Sequence, residues 1–178
     1  MAKVVVVYHS GYGHTERMAD FVAQGAGAQK IAIDAEGNVT EQDWVAINAA
    51  DAIIFGSPTY MGMASWQFKK FADASSKQWY SSAWKNKVAG GFTISASPSG
   101  DKLSTIQYFM TLAMQQAMIW VGQPSMNDGN INRLGSNSGA MAQVGPTSPA
   151  SEIPQGDLDT AKAYGARIAE VAAKLAGK

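Results

Sequence analysis

The stretch Lys3-Val-Val-Val-Val-Tyr8, followed directly by His9-Ser-Gly-Tyr-Gly-His-Thr15, decides the fold of this chain. Four consecutive valines without a polar interruption are typical of a strand buried on both faces, as in a parallel sheet. The seven residues after it are small or polar, and a helical pattern begins behind them. Glycines let the backbone approach an anion, hydroxyls donate to it, and the free N–H groups of a first helical turn point toward it. The sequence therefore predicts a phosphate site between strand and helix.

The same loop limits the kind of phosphate. It lacks the Lys of a P-loop and the three-glycine spacing of a dinucleotide-binding loop. A single terminal phosphate, as on a mononucleotide, fits it better than a triphosphate or a pyrophosphate. The alternative is an ordinary strand-to-helix turn.

The composition is that of a folded protein of one domain, residues 1–178, with 46% apolar and 16% charged residues. Lys plus Arg and Asp plus Glu each number 14, so the formal net charge is zero and neither nucleic acid nor an anionic membrane is an expected partner. The absence of Cys excludes disulfides and thiolate metal sites, and we predict no metal site. No signal peptide or membrane-spanning apolar run is found, so a cytoplasmic location is expected.

Strand-like and helix-like patterns alternate along the chain. Further strands are predicted at 29–33, 51–56, 88–95 and 118–121. Helices are predicted after residue 15, at 40–50 behind a capping box, from about residue 65, around 106–117 and from about residue 157. This alternation predicts an α/β fold, a doubly wound parallel sheet of five strands with helices on both faces.

Residues 123–156 depart from the alternation, because they are rich in Gly, Asn, Ser and Pro. A loop this long in a compact domain usually works at a site or packs on a partner, and disorder is the alternative. Its apolar side chains would cost free energy in water, so we expect a neighbouring subunit to cover them. These side chains are Met126, Ile131, Leu134, Met141 and Val144.

Three small, polar loops follow strand ends directly, at 10–15, 57–62 and 95–100. In open parallel sheets, ligands bind beyond the carboxyl ends of the strands where the strand order reverses. The three loops together therefore predict a site for a planar ligand with a phosphate tail.

The motifs in these loops resemble a known family. Tyr-x-Ser-x-Tyr-Gly-His at 8–14 and Ile-Ile-Phe-Gly-Ser-Pro-Thr at 53–59 are similar to those of flavodoxin-like, FMN-binding NAD(P)H:quinone oxidoreductases of the WrbA type. The resemblance covers nearly the whole chain. It implies a flavodoxin-like fold, FMN as cofactor, NADH or NADPH as electron donor, and a homodimer or homotetramer with sites completed by neighbouring subunits.

The resemblance also implies the roles of individual residues. Around the FMN phosphate it places Ser10, Tyr12, Gly13, His14 and Thr15. Along the isoalloxazine ring it places Pro58, Thr59, Tyr60, Met61 and Gly62. Near the pyrimidine side and the ribityl chain it places Ser95, Ala96, Ser97, Pro98, Ser99 and Gly100.

Some positions depart from the family. Pro98 removes a backbone donor from a loop that is expected to bind the flavin. Gln115 and Gln116 stand where the family carries a His pair, one of which faces the active site. Trp79 stands where the family places an aromatic residue near the flavin. Gln116 and Trp79 are therefore our candidates for the substrate pocket.

Two functions compete on this evidence. The first is an enzyme in which NAD(P)H reduces the flavin and a quinone or similar acceptor takes two electrons. The second is a flavodoxin-type electron carrier, which needs an acidic face to dock basic partners. The balanced charge of this chain favours the enzyme. A relative without flavin, with a regulatory role on the same scaffold, is a third alternative.

Overall fold

A parallel sheet runs through the centre of the protein, and helices cover both of its faces. The structure, a computed structural model, describes residues 1–177. Its strands are β1 (Val4–His9), β2 (Gln29–Ile33), β3 (Ala52–Tyr60), β4 (Met63–Ala64), β5 (Val88–Ser95), β6 (Ile119–Trp120) and β7 (Ala140–Gln143). Its helices are α1 (His14–Ala26), α2 (Glu41–Ala49), α3 (Trp66–Ala74), α4 (Ser76–Tyr80), α5 (Lys102–Gln115) and α6 (Gln155–Leu175), with a 3-10 turn at Ala150–Glu152.

The order of the strands confirms the predicted doubly wound sheet. β1 pairs in parallel with β2 on one side and with β3 on the other, and the full order is β2-β1-β3-β5-β6. The chain passes from β1 to β2 and then crosses back to β3, so the strand order reverses between β1 and β3. The loops after these two strands therefore flank the crevice in which such sheets bind ligands.

The edge strand differs from the prediction, because it is built from two separate pieces of chain. β6 pairs with the start of β5 through Ile119 and Trp120, and β7 pairs with its end, from Ala140 beside Phe92 onward. The expected strand at 118–121 is thus only the first half of this edge. The second half was missed because Ala-Met-Ala-Gln contains no β-branched residue and follows a segment rich in Asn, Ser and Gly.

Strand β3 is also longer than predicted. Ser57 and Pro58 continue the pairing with β5, opposite Thr93 and Ile94, although a turn was expected after Gly56. The chain then reverses into β4 through Met61 and Gly62, whose φ angles are +47° and +81°. The second predicted loop is therefore half strand and half hairpin turn.

The capping box predicted at the start of α2 is confirmed. Thr40 accepts a hydrogen bond from the backbone N–H of Asp43, and the Asp43 carboxylate accepts one from the backbone N–H of Thr40 at 2.9 Å. An Asp thus performs the part that Glu or Gln usually takes.

The four valines of β1 explain why the sheet is buried on both faces. Val4 and Val6 point into a core shared with α1 and α6, and Val5 and Val7 point into a core under α2, α3 and α5. All four are at most 4% exposed, and burial of each contributes about 1.5 to 3 kcal/mol. Within residues 1–177, no helix has both the length and the apolar character that crossing a bilayer requires.

The segment at 123–156 packs on its own chain. This corrects the expectation that a neighbouring subunit covers its apolar side chains. Val144 is buried in the core beside α6, and Ile131, Leu134 and Met141 are partly covered. Met126 alone of the five predicted side chains is strongly exposed, at 86%. A neighbouring subunit is therefore not needed to cover this segment.

Candidate functional site

One cleft at the carboxyl edge of the sheet contains residues from all three predicted loops. It opens beside the strand-order reversal between β1 and β3. Its walls are formed by Tyr12, His14, Thr15, Pro58, Thr59, Tyr60, Ile94, Ser95, Ala96, Val144, Gly145 and Pro146.

The first loop presents an anion site at the start of α1. Ser10 Oγ accepts hydrogen bonds from the backbone N–H groups of Gly13 and Glu16, each at 3.1 Å. In the part of the chain that the structure describes, the Ser10 hydroxyl donates to no other group, so its proton can donate to a ligand. Among residues 1–177, no acceptor is found for the backbone N–H groups of His14 and Thr15, which lie in the first turn of α1. These donors and the helix dipole suit a phosphate group without the help of a Lys or Arg.

His14 is fixed by the end of the long segment. Its Nε2 lies 2.7 Å from the carbonyl oxygen of Ser148 and donates to it, because a carbonyl can only accept. The bond requires a proton on Nε2 of the imidazole ring. It also holds the chain after β7 against the first loop.

A row of threonines holds the second loop in place. Thr59 Oγ1 lies 2.8 Å from both Thr93 Oγ1 and Thr105 Oγ1, and all three side chains are buried. The row joins β3, β5 and α5 directly below the cleft. Pro58, Thr59 and Tyr60 line the cleft, whereas Met61 and Gly62 lie in the hairpin turn outside its lining.

Two tyrosines form an aromatic rim over the first loop. The rings of Tyr12 and Tyr60 meet edge to face with their centroids 6.2 Å apart. A Cβ atom at Gly11 would come within 2.7 Å of the Tyr60 hydroxyl, so only glycine admits this ring position. Burial, and secondarily the nearby Tyr12, raises the pKa of Tyr60, which stays a neutral phenol at physiological pH.

The third loop divides between two surfaces. Ser95 and Ala96 line the cleft, while Pro98 and Ser99 line a neighbouring open groove. Gln143 Nε2 donates to the carbonyl of Ala96 at 2.9 Å. The loop is therefore attached to β7 as well as to β5.

Comparisons with known proteins agree with this geometry. A family model described as NADPH-dependent FMN reductase matches residues 35–132. Flavodoxin FldP of Pseudomonas aeruginosa is 47% identical over 98% of this chain and 99% of its own length. An NAD(P)H dehydrogenase (quinone) of Geobacter sulfurreducens is 34% identical over 98% of this chain and 99% of its own length. The crystal structure of a WrbA-like flavodoxin from Agrobacterium tumefaciens matches with a TM-score of 0.83 and 55% identity, covering 98% of this chain and 99% of that one. The chain belongs to the WrbA-type flavodoxin-like family.

Membership in the WrbA-type family confirms the predicted fold class and, at the level of the family, FMN with NAD(P)H. The names of the relatives diverge on activity, since one is a flavodoxin and another a quinone dehydrogenase. What they share is redox chemistry on a flavodoxin-like fold.

Four residues that line the cleft of this WrbA-type protein were not predicted from its sequence. Ile94 is the penultimate residue of β5, and Val144, Gly145 and Pro146 follow β7. The signal was present, since Gly-Pro-Thr-Ser-Pro at 145–149 is a small, polar loop like the other three. It was not read as a strand-end loop because β7 was not recognised.

Gln116 and Trp79 lie together, but in a different groove from the predicted FMN residues. They share this groove with Ser75, Tyr108, Thr111, Leu112 and Gln115. Gln116 is buried, and its Nε2 donates to Ser75 Oγ at 2.9 Å and to the Ser75 carbonyl at 3.1 Å. Helix α5 runs antiparallel to the strands, so its C-terminal end lies at the opposite edge of the sheet from the cleft. Gln116 and Trp79 therefore do not line the cleft of their own chain, and their place in a substrate pocket stays a prediction.

Proposed function

We propose that this protein binds FMN in the cleft and transfers two electrons from NADH or NADPH to a quinone or similar acceptor. The observation that carries the proposal is the convergence of four strand-end loops around one crevice, with free N–H groups at the start of α1. Such a site suits a flat ring with a single phosphate. Residues 1–178 act as one domain in this proposal, and the location is cytoplasmic.

The phosphate would be held by the first loop. The backbone N–H groups of His14 and Thr15 and the hydroxyl of Ser10 are its donors. The loop contains no Lys or Arg, so affinity depends on hydrogen bonds and the dipole of α1. FAD is disfavoured, because this loop lacks the glycine spacing of a pyrophosphate site.

The ring would lie between the aromatic rim and the third loop. When bound, FMN supplies an isoalloxazine that accepts a hydride and passes electrons on. Tyr60, Pro146 and Ala96 line the space and exclude water from it. His14 is committed to Ser148, and Tyr60 stays protonated, so the protein's part is to position the reactants.

A flavodoxin-type electron carrier is the second candidate, favoured by the relative named flavodoxin FldP at 47% identity. Carriers dock basic partners through an acidic face, and this chain has equal numbers of acidic and basic residues. The charge balance supports the enzyme instead.

Assembly as a homodimer or homotetramer belongs to the same proposal. Trp79, 55% exposed, lines the groove of Gln116, and the next residue in the chain, Tyr80, is 87% exposed, as is Met114 at 56% beside Gln115 in sequence. Exposed apolar patches of this kind mark interaction surfaces. A second copy packed here would bring Trp79 and Gln116 toward a cleft other than their own.

The experiment is anaerobic mixing of the FMN-loaded protein with NADH or NADPH, followed by a quinone. The enzyme should lose its yellow colour with at least one donor and regain it when the quinone is added, over many cycles. A flavin that stays oxidised with both donors would favour the electron carrier.

A further inference from the structure

The side chain of Lys102 is hydrogen-bonded to the third loop, residues 95–100. It is 1% exposed, at the first position of α5, and its ammonium group has three donors. These donors meet three acceptors: Ser95 Oγ at 2.7 Å, the Ser97 carbonyl at 2.8 Å and the Pro98 carbonyl at 2.9 Å. A buried Lys with every proton used fixes the loop in one conformation.

These bonds determine where the N–H groups of the loop point. The C=O and N–H of a trans peptide point in opposite directions. The carbonyls of Ala96, Ser97 and Pro98 are all held by side chains, the first by Gln143 and the others by Lys102. The backbone N–H groups of Ser97 and Ser99 therefore point away from these side chains, and no acceptor for either is found within residues 1–177. The donor lost at Pro98 leaves two others free for a ligand.

Lys102 also places a positive charge behind the cleft. Its three acceptors are uncharged, and in the described part of the chain it forms no ion pair. The two charged groups that act on its ammonium, Asp157 and Arg133, have opposite effects and are paired with each other at 2.8 Å. Ser95, which accepts from Lys102, lines the cleft, so one side chain separates the cation from the ligand space.

We propose that Lys102 is a positioning residue that presents the N–H group of Ser97, the residue after Ala96 of the cleft wall, to the pyrimidine side of the flavin and favours the reduced flavin by charge. The inference rests on the proposed binding of FMN in this cleft. One hydride from NAD(P)H adds two electrons and one proton to the ring, and the nicotinamide leaves oxidised. The ring thereby gains one negative charge, which a nearby cation stabilises.

The test compares three substitutions of Lys102 with a matched control. Lys102→Met removes donors and charge, Lys102→Gln keeps amide donors without charge, and Lys102→Arg keeps both. The control is Lys87→Met, since Lys87 is partly buried and likewise donates to backbone carbonyls, those of Asn48 and Ala50, but at the opposite edge of the sheet.

Two quantities are measured: the Kd for oxidised FMN, and the midpoint potential, which gives the ratio of reduced to oxidised affinity. We expect Lys102→Met to weaken the binding of oxidised FMN about 3- to 10-fold. In both uncharged variants the affinity ratio should fall about tenfold, equal to about 30 mV in a two-electron potential. Lys102→Arg and Lys87→Met should keep the ratio within threefold.

NMR relaxation of the flavin-free protein gives a readout independent of loading. Ser97 and Ser99 should be rigid in the wild type and mobile in Lys102→Met. Tight FMN binding with an unchanged affinity ratio in both uncharged variants would overturn the role of Lys102 and leave the proposed function intact. Failure of the wild type to bind FMN would overturn both.

Discussion

His14 and Ser148 are 134 residues apart in sequence, yet the imidazole Nε2 of His14 donates to the Ser148 carbonyl at 2.7 Å. The bond joins the first turn of α1 to the loop after β7, and residues from both line the cleft. The loop at 145–149 is thereby attached to the site that we assign to the phosphate.

Substitution of His14 should loosen this attachment. We expect His14→Ala to speed amide exchange in residues 144–149 and to weaken FMN binding about 2- to 10-fold, the range expected for one hydrogen bond. His14→Gln is the matched variant, because its Nε2 can reach a similar position. Hydrogen exchange and flavin fluorescence measure the two effects, and equal exchange in wild type and His14→Ala would refute the attachment.

Two substitutions of Ser10 should distinguish its role in helix capping from its role in phosphate binding. Its Oγ caps two N–H groups of α1, so Ser10→Ala should lower the free energy of unfolding by about 1 kcal/mol. Ser10→Asp keeps an acceptor and adds a favourable charge at a helix N-terminus, so the flavin-free protein should keep its stability. The carboxylate would repel the phosphate, and FMN should bind about 100-fold more weakly or worse. Urea unfolding and FMN titration give both values. Unchanged FMN affinity in Ser10→Asp would remove Ser10 from the phosphate site.

Stability of the flavin-free protein should depend on pH through Lys102. Burial lowers the pKa of this Lys to about 8, so between pH 8 and its ordinary value near 10.5 the unfolded chain binds more protons than the folded one. The free energy of unfolding therefore rises with pH in this window, with a slope of at most about 1.4 kcal/mol per pH unit from this group. Lys102→Met should lack that part of the slope. Urea unfolding from pH 7.5 to 9.5 measures this slope, because the tyrosines titrate at higher pH. If the free energy of unfolding changes with pH equally in wild type and Lys102→Met, the pKa of Lys102 is not depressed.

Assembly should depend on the groove of Trp79 and Gln116. We expect Trp79→Ala to shift light scattering toward smaller species, because it removes apolar area from the exposed patch. Turnover with quinone should fall, while FMN stays bound in its own cleft. Leu175→Ala is the control, since Leu175 is 57% exposed on α6, which covers the other face of the sheet from α3 and α5. A fully active wild-type monomer would contradict both the assembly and the role of the groove.

The parts of the fold that were predicted from sequence are those with strong local signals. The Val4 to Val7 run predicted a strand buried on both faces, and the Thr40 capping box predicted the start of α2. β7 could not be predicted in the same way. Ala140 and Ala142 are buried only because β5 and α6 lie beside them, and that contact is set by tertiary structure.

The candidate site shows the same division. The loops after β1, β3 and β5 were found because small, polar residues follow apolar runs, and His14, Thr59 and Ser95 from these loops line the cleft. The role of Gln116 was taken from a resemblance and stays a prediction, since the direction of α5 carries this residue to the opposite edge of the sheet from the cleft of its own chain. Lys102 gave no sequence signal, since nothing local shows that a Lys is buried and bonded to three loop acceptors.

The most direct test of the central claim is titration of the flavin-free protein with FMN, riboflavin and FAD, monitored by flavin fluorescence. The account assigns much of the affinity to the phosphate, held by the N–H groups of His14 and Thr15 and the hydroxyl of Ser10. It predicts that FMN binds about 100-fold more tightly than riboflavin, which lacks the phosphate, and more tightly than FAD. Equal affinity for FMN and riboflavin, or tighter binding of FAD, would contradict it.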